Sequence, residues 1–318
     1  MRQFRFTLLV FMLAPLVNIG AQGTEPVLFG RDVISTGDFE FKVSFTPDQK
    51  RIYFSKAGNN WNTMIVLYCD KTSTGWSAPE LASFSSGTFR DADPAISHDG
   101  SKMYFISDRP AASEPYKDFN YSIYSISLDK KGNAVGEPQK VAIPVAETIK
   151  PVYPSIAKSG NLYFSAVKDK DQGIYVSEWK DGSYQTPTLL SFNTDTDIDL
   201  DPVVSFDESF IIFTSNRKGS GKMDLWISFQ KNGEWSAPVN LGPTINSADN
   251  EGQAGLSHDQ KKLYFTATRE PKIEKQPNRK VTYAQLKLEW QAVNNGTGNI
   301  YEVDITELIK SLDPTVKP

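Results

Sequence analysis

One cysteine, Cys69, and two histidines, His98 and His258, are all that the 318 residues hold of the side chains that most often staple a fold or bind a soft metal. A lone cysteine excludes an intrachain disulfide, so the fold must be held by packing. Two histidines leave little for a His-ligated metal centre or a Ser-His-Asp triad. Strong charge of one sign is missing too: 34 Lys+Arg against 38 Asp+Glu give a net charge of -4. No nucleic-acid partner is expected of so mildly acidic a chain. The G-x-S-x-G elbow of an α/β-hydrolase is absent, which excludes a prolyl-peptidase type of chemistry.

Long apolar runs are confined to the first residues. Arg2 and Arg5 precede Phe6–Val17, an apolar stretch too short for a membrane span, and Ile19-Gly20-Ala21 offers a small-residue cleavage site. Residues 1–21 are therefore expected to be a secretory signal peptide, and the protein to be periplasmic or extracellular in a bacterium. No membrane span is expected after cleavage, and Cys69 stands too far from the junction for lipid attachment.

What is present is a repeat. Asp91 to Arg109, DADPAISHDGSKMYFISDR, reads as two short strands around Asp99-Gly100, the two-residue turn signal of a β-hairpin. VSFTPDQKRIYFSKA (43–57), PSIAKSGNLYFSAVK (154–168), PVVSFDESFIIFTSNR (202–217) and AGLSHDQKKLYFTATR (254–269) repeat it at steps of roughly fifty residues. A third, alternating strand follows each hairpin, as in Ile123–Ile126 or Ile300–Val303. Next comes a fourth that opens on glycine and proline: Gly75–Pro79, Gly136–Pro138, Gly182–Pro187 and Gly233–Pro238. Proline donates no ladder hydrogen bond, so this fourth strand belongs at a sheet edge. Four antiparallel strands ending in an edge describe a propeller blade.

Pro26 stands nearly as far before Asp48 as Pro79 does before Asp99, so Pro26–Phe29 is a fourth strand with no blade of its own. The last repeat stops after its third strand. The chain is therefore expected to be an all-β, five-bladed β-propeller over 22–305, closed by its N-terminal strand pairing with the last blade. A six-bladed ring would require the 270–298 insert to hide a degenerate blade. Residues 306–318 form a tail with a helical turn at Thr306–Leu312.

The D-x-D-P-x-x-S-x-D-G start and the Y-F-x-S-(D/N)-R finish, as in 91–109 and 199–217, resemble the WD40-like repeats of TolB-type periplasmic propellers. The resemblance covers nearly the whole mature chain and implies a six-bladed ring with a separate N-terminal domain. Five repeats and no room for that domain are what this sequence offers, so the function of that family is not carried over.

Aligned hairpins put Glu40, Asp91, Pro151, Asp199 and Glu251 at the start of each innermost strand. Lys42, Asp93, Tyr153, Asp201 and Gln253 follow two residues later. These positions should crowd one mouth of the channel. At the far end of the hairpin stand Gly58, Arg109, Lys168, Arg217 and Arg269, so Asp91 should pair with Arg109 and Asp199 with Arg217 as blade-stabilising ion pairs. Glu40, opposite Gly58, looks unpaired. The run Asp195–Asp201 offers oxygens to calcium but lacks the glycine and final Glu of an EF-hand loop, so a solvated loop and no cofactor are expected, with calcium as the alternative. His98 and His258 read as surface turn residues.

The expected ligand face comprises Glu40, Asp91, Asp93, Arg109, Asp199, Asp201, Arg217, Glu251 and Arg269, walled by the 110–121 loop and the 270–298 insert. The reading these residues favour is a monomeric, non-catalytic propeller that binds a protein or a cell-envelope glycan. The alternative is a glycoside hydrolase using Glu40, Asp93, Asp201 and Glu251, because paired carboxylates are the chemistry glycan cleavage needs.

Overall fold

The computed structural model of the chain describes residues 25–111, 115–146, 149–167, 173–219, 221–270, 278–313 and 315–316. The expected signal peptide, and Lys168 with it, lie outside the described residues.

Five antiparallel sheets form five blades. From the inner to the outer edge the first holds Phe39–Phe45, Arg51–Ala57, Met64–Thr72 and Glu80–Leu81, and the second Asp91–Ile96, Lys102–Ser107, Ser122–Leu128 and Ala134–Lys140. The third holds Lys150–Ile156, Leu162–Val167, Gly173–Ser177 and Thr188–Leu189, and the fourth Asp199–Val204, Phe210–Ser215, Asp224–Lys231 and Val239–Asn240. In the fifth, Glu251–Leu256, Lys262–Ala267 and Asn299–Asp304 are completed by Val27–Leu28. Val27 faces Glu302, Leu28 faces Tyr301, and the Phe29 N–H donates to the Ile300 carbonyl at 2.9 Å. The ring closes as the proline spacing predicts, with five blades where the TolB resemblance implies six.

A bulky pair in each second strand, Tyr-Phe in four blades and Ile212-Phe213 in the fourth blade, explains why the ring holds. Successive strand residues point to opposite faces of the sheet, so each pair serves two seams. Tyr53 packs with Phe105 between blades one and two, Tyr104 with Phe164 in the next seam, and Tyr163 with Phe213 in the third. Ile212 meets Phe265, and Tyr264 meets Phe54 across the closure. All ten are buried. At about 1.5–3 kcal/mol for each large apolar side chain buried, these ten dominate the adhesion between blades.

Two local expectations need correction. The hairpin turns are longer than the two-residue turn expected from Asp99-Gly100. Ser97 N donates to Lys102 O and Gly100 N to Ser97 O, which leaves four residues in the connection. The aspartate works as a cap instead, accepting from the Ser97 hydroxyl at 2.7 Å and the Ser101 N–H at 3.0 Å. Asp48, Asp207 and Asp259 do the same, and the residue after each aspartate bends back through the left-handed region. Only glycine fits at position 100, since a Cβ there would lie 2.6 Å from Pro47. The fourth strands, in turn, are split. In blades one and four the glycine segment extends a hairpin with the far half of strand three, and the chain then crosses at Pro79 or Pro238 to pair with its near half. The break falls on the residue with no N–H to offer.

The 270–298 insert contains a helix, Tyr283–Trp290, opened by a Thr282–Gln285 capping box, and none of its residues is buried. Its return is tied to the first blade by Asn295 donating to Gly37 O and Thr297 to Asp38 O. The tail does pack, with Ile309 of the helix Thr306–Leu312 buried against blades four and five. No helix among the described residues is long and apolar enough to cross a membrane.

Candidate active site

Every innermost strand carries a bulge. Its register slips between Phe41 and Val43, Ala92 and Ala95, Val152 and Ser155, Leu200 and Val203, and Gly252 and Gly255. At each slip one non-glycine residue adopts a positive φ: Lys42, Asp93, Tyr153, Asp201 and Gln253, all between 47° and 59°. That backbone is sparsely populated, and a bulge re-aims the side chain it carries. Here it brings Lys42, Asp93, Tyr153 and Asp201 within one another's electrostatic reach. Lys42 reaches from blade one past blade five to blade four, its ammonium donating to Ala254 O at 2.7 Å and to Pro202 O at 3.4 Å.

Asp93 and Asp201 stand on blades two and four with Tyr153 on the blade between. Asp93 is 1% exposed, and neither of its carboxylate oxygens has a hydrogen-bond partner. Burial, reinforced by the nearby Asp201 charge and opposed by Lys42, pushes the Asp93 carboxyl up to about 8. Asp201 is 8% exposed, and burial raises it to about 6, held down by Lys42 and the Gln253 N–H. Burial pushes the Lys42 amine down, offset by the two aspartates. Tyr153 is driven well up by burial and by the same two carboxylates. Tyr121, from the 110–121 loop, packs against the same apolar cluster as Tyr153. Two carboxyls whose surroundings push their pKa values apart are the signature of an acid and a base sharing one site.

The other expected ligand residues are occupied. Asp91 accepts from Arg109 at 2.6 Å and Asp199 from Arg217, as the hairpin geometry predicts. Each arginine also grips the preceding loop, Arg109 at Phe84 O and Arg217 at Phe192 O, so the pairs lock blades and are not free to bind. Arg269 likewise reaches Ile245 O, lies over the Tyr301 ring, and sits 3.6 Å from Glu251. Glu251 accepts the Ser247 hydroxyl at 2.6 Å and its N–H at 3.0 Å. Glu40 is not the unpaired carboxylate that Gly58 suggests. It accepts the Thr36 N–H and hydroxyl and the Asn299 amide, and Lys56 supplies the positive charge at 3.4 Å. Glu40 and Glu251 are thus loop caps, which leaves Asp93 and Asp201 from the carboxylates expected at the mouth. Sequence alignment places Lys42 in the same row but gives it no role. The signal was there, a lone cation where the other blades carry two aspartates, a tyrosine and a glutamine.

Replacing Arg217 with Met strips the partner from the fully buried Asp199. Stability should fall by about 2–3 kcal/mol at neutral pH, read as an earlier urea midpoint. An unchanged midpoint would contradict the locking role.

The remaining expectations disperse. Asp197 and Asp199 both face Arg217 while Asp201 enters the channel, so the Asp195–Asp201 run does not converge. Among the described residues no three His, Cys, Asp or Glu are grouped to hold a metal ion. His98 and His258 are half-buried, not surface residues. Their rings lie 5.3 Å apart against Phe206, at the end of the channel opposite the aspartates. Between the two ends the channel narrows to a cavity of about 50 Å³ below Lys42.

No protein-family model matches the chain, and no curated protein matches it in sequence. Solved structures match its fold. An α-L-arabinofuranosidase from Lactobacillus brevis superposes with a TM-score of 0.51 at 12% identity, over 86% of this chain and 92% of that one. A GH43 endo-arabinanase from Bacillus licheniformis gives 0.50 at 12%, over 87% and 95%. A putative TolB from Agrobacterium tumefaciens gives 0.48 at 16%, over 85% and 84%. The first two correct the expectation of a non-catalytic binder. That expectation took a bare propeller for a binding module, yet this fold covers nearly the whole of two glycan-cleaving enzymes.

Proposed function

We propose that the protein is a glycoside hydrolase working at the channel mouth, with Asp93 as general acid and Asp201 as general base. The observation that carries this reading is Asp93, a buried carboxyl with two unpartnered oxygens that lies close enough to Asp201 to feel its charge. Burying such a group without a partner costs stability, and that cost is commonly retained where chemistry uses it. Protonated Asp93 gives its proton to the glycosidic oxygen as the C1–O bond breaks. Ionised Asp201 takes a proton from the water that attacks C1, so Asp93 ends ionised, Asp201 protonated, and the two exchange roles through solvent. Lys42 keeps Asp201 ionised and needs no contact with substrate. Because Asp93 is almost fully covered, a glycan reaches it only when a neighbour moves, and Tyr121 is the neighbour carried on a loop. The shared fold of the two arabinose-directed enzymes supports an envelope or plant-type glycan as substrate, met outside the cytoplasm as the N-terminal sequence suggests.

Release of reducing ends from arabinan, arabinoxylan and pectin tests the proposal, and no release from any glycan by the wild-type chain would sink it. Activity should form a bell. It rises as pH climbs through about 6, where Asp201 loses its proton, and falls as pH passes about 8, where Asp93 loses its own. Lys42 lowers both carboxyls, so Lys42→Met should move the bell toward alkaline pH by about one unit. A bell that stays in place would remove Lys42 from the site.

A further inference from the structure

Two outer hairpins carry a tryptophan into a seam on the face opposite the aspartates. Trp76 fills the closing seam against Phe29 and Phe45, and Trp235 fills the seam between blades three and four against Tyr163. Between blades one and two the Gly132 turn does the same, with its carbonyl taking the Tyr53 hydroxyl at 2.6 Å. The seam between blades two and three is different. Tyr184 stands where the hairpins of blades one and four place tryptophan, and its hydroxyl bonds that of Tyr104 at 3.1 Å. An open cleft of about 410 Å³ remains.

The tryptophan has moved to the other arm. Trp179 is the cross-strand partner of Tyr184, at the position that Lys71 and Gln230 occupy opposite Trp76 and Trp235. A solvent-facing polar position has thus become an aromatic one. Trp179 packs edge-on against Tyr184 at 4.8 Å, its backbone N–H is fixed by Asn161, and the ring stays 44% exposed at the cleft. The rim carries Lys102 and Lys158, neither in an ion pair among the described residues. The carboxylate of Asp99 is already taken by Ser97, Ser101 and its own turn.

We infer that this cleft is a second saccharide site that takes an acidic sugar unit of a polymer. A shallow trough with an indole platform and hydroxyls suits the flat apolar face and equatorial hydroxyls of a pyranose. The two free ammonium groups select a carboxylated unit, such as a uronic acid, over a neutral one. Placed on the face opposite Asp93, it would hold a chain without competing for the catalytic mouth. The choice of a saccharide rests on the proposed hydrolase, but the binding can be read without turnover.

The test is calorimetric titration of the full chain, in the Asp93→Asn background, with a short oligogalacturonide and with a neutral arabino-oligosaccharide of equal length. The acidic oligomer should bind more tightly, and added salt should weaken it. Trp179→Ala should reduce that affinity about tenfold or more, as should the double change Lys102→Gln with Lys158→Gln, with thermal unfolding unmoved because these side chains are exposed. Absence of binding, equal affinity for the neutral oligomer, or indifference to Trp179→Ala would each overturn the site. Because the titrations read binding and not turnover, a failed hydrolase proposal and a failed cleft proposal give different results: the first appears only in turnover by the wild type, the second only in the response of these titrations to Trp179→Ala.

Discussion

Asp93→Asn should lose about a thousandfold in turnover and become more stable in the same step. The loss follows from removing the proton that the leaving oxygen needs; general acid catalysis contributes about 10²–10⁴, and an amide cannot supply it. The gain follows from linkage. The folded state holds Asp93 up at about 8, above the value of a free aspartate, so its contribution to stability is complete at acid pH, below the unfolded value. It fades as pH rises from there toward 8. Asn carries no charge to desolvate and tolerates the positive φ of 59° at this bulge. Thermal melts should therefore coincide near pH 4 and separate by several degrees near pH 8, with the variant higher. Equal melts at alkaline pH would show that Asp93 carries no buried charge. Normal turnover would take the acid away from position 93.

Phe29→Ala should come next in size, at a cost of about 3–5 kcal/mol. The residue follows directly on the closing strand and is 6% exposed, with its ring edge-on to Tyr264 at 4.9 Å and to Trp76 at 5.9 Å. It therefore touches blade five and blade one together, and truncating it opens a void beside the strand pairing that closes the ring. The expected readout is a lower guanidinium midpoint with a nearly unchanged slope. If the slope falls instead, the ring opens in the native state and the closure is weaker than its packing suggests.

Much of this architecture was legible because it rests on spacing. Five hairpin copies set the blade number, and Pro26 stood at the right distance from Asp48 to mark a strand with no blade. The Asp91–Arg109 and Asp199–Arg217 pairs followed from strand ends lying side by side. Which carboxylates face the axis was not legible. Glu40 and Glu251 look as available as Asp93 and Asp201 until the bulges are placed, and none of the five bulged residues is glycine, the residue that usually marks such a kink. The partners that silence Glu40 also come from afar, Asn299 lying 259 residues along the chain. The open seam was hidden for the same reason, since it depends on Tyr184 meeting Tyr104 from another blade.

The repeated bulge gives the ring five interchangeable sockets. Because the kink is the same whether the socket holds lysine, aspartate, tyrosine or glutamine, chemistry can be exchanged between blades without rebuilding any backbone. A donor or acceptor could be moved one fifth of a turn around the axis by a single codon change. A barrel with such sockets can be retooled toward a new substrate while its aromatic seams, and with them its architecture, stay as they are.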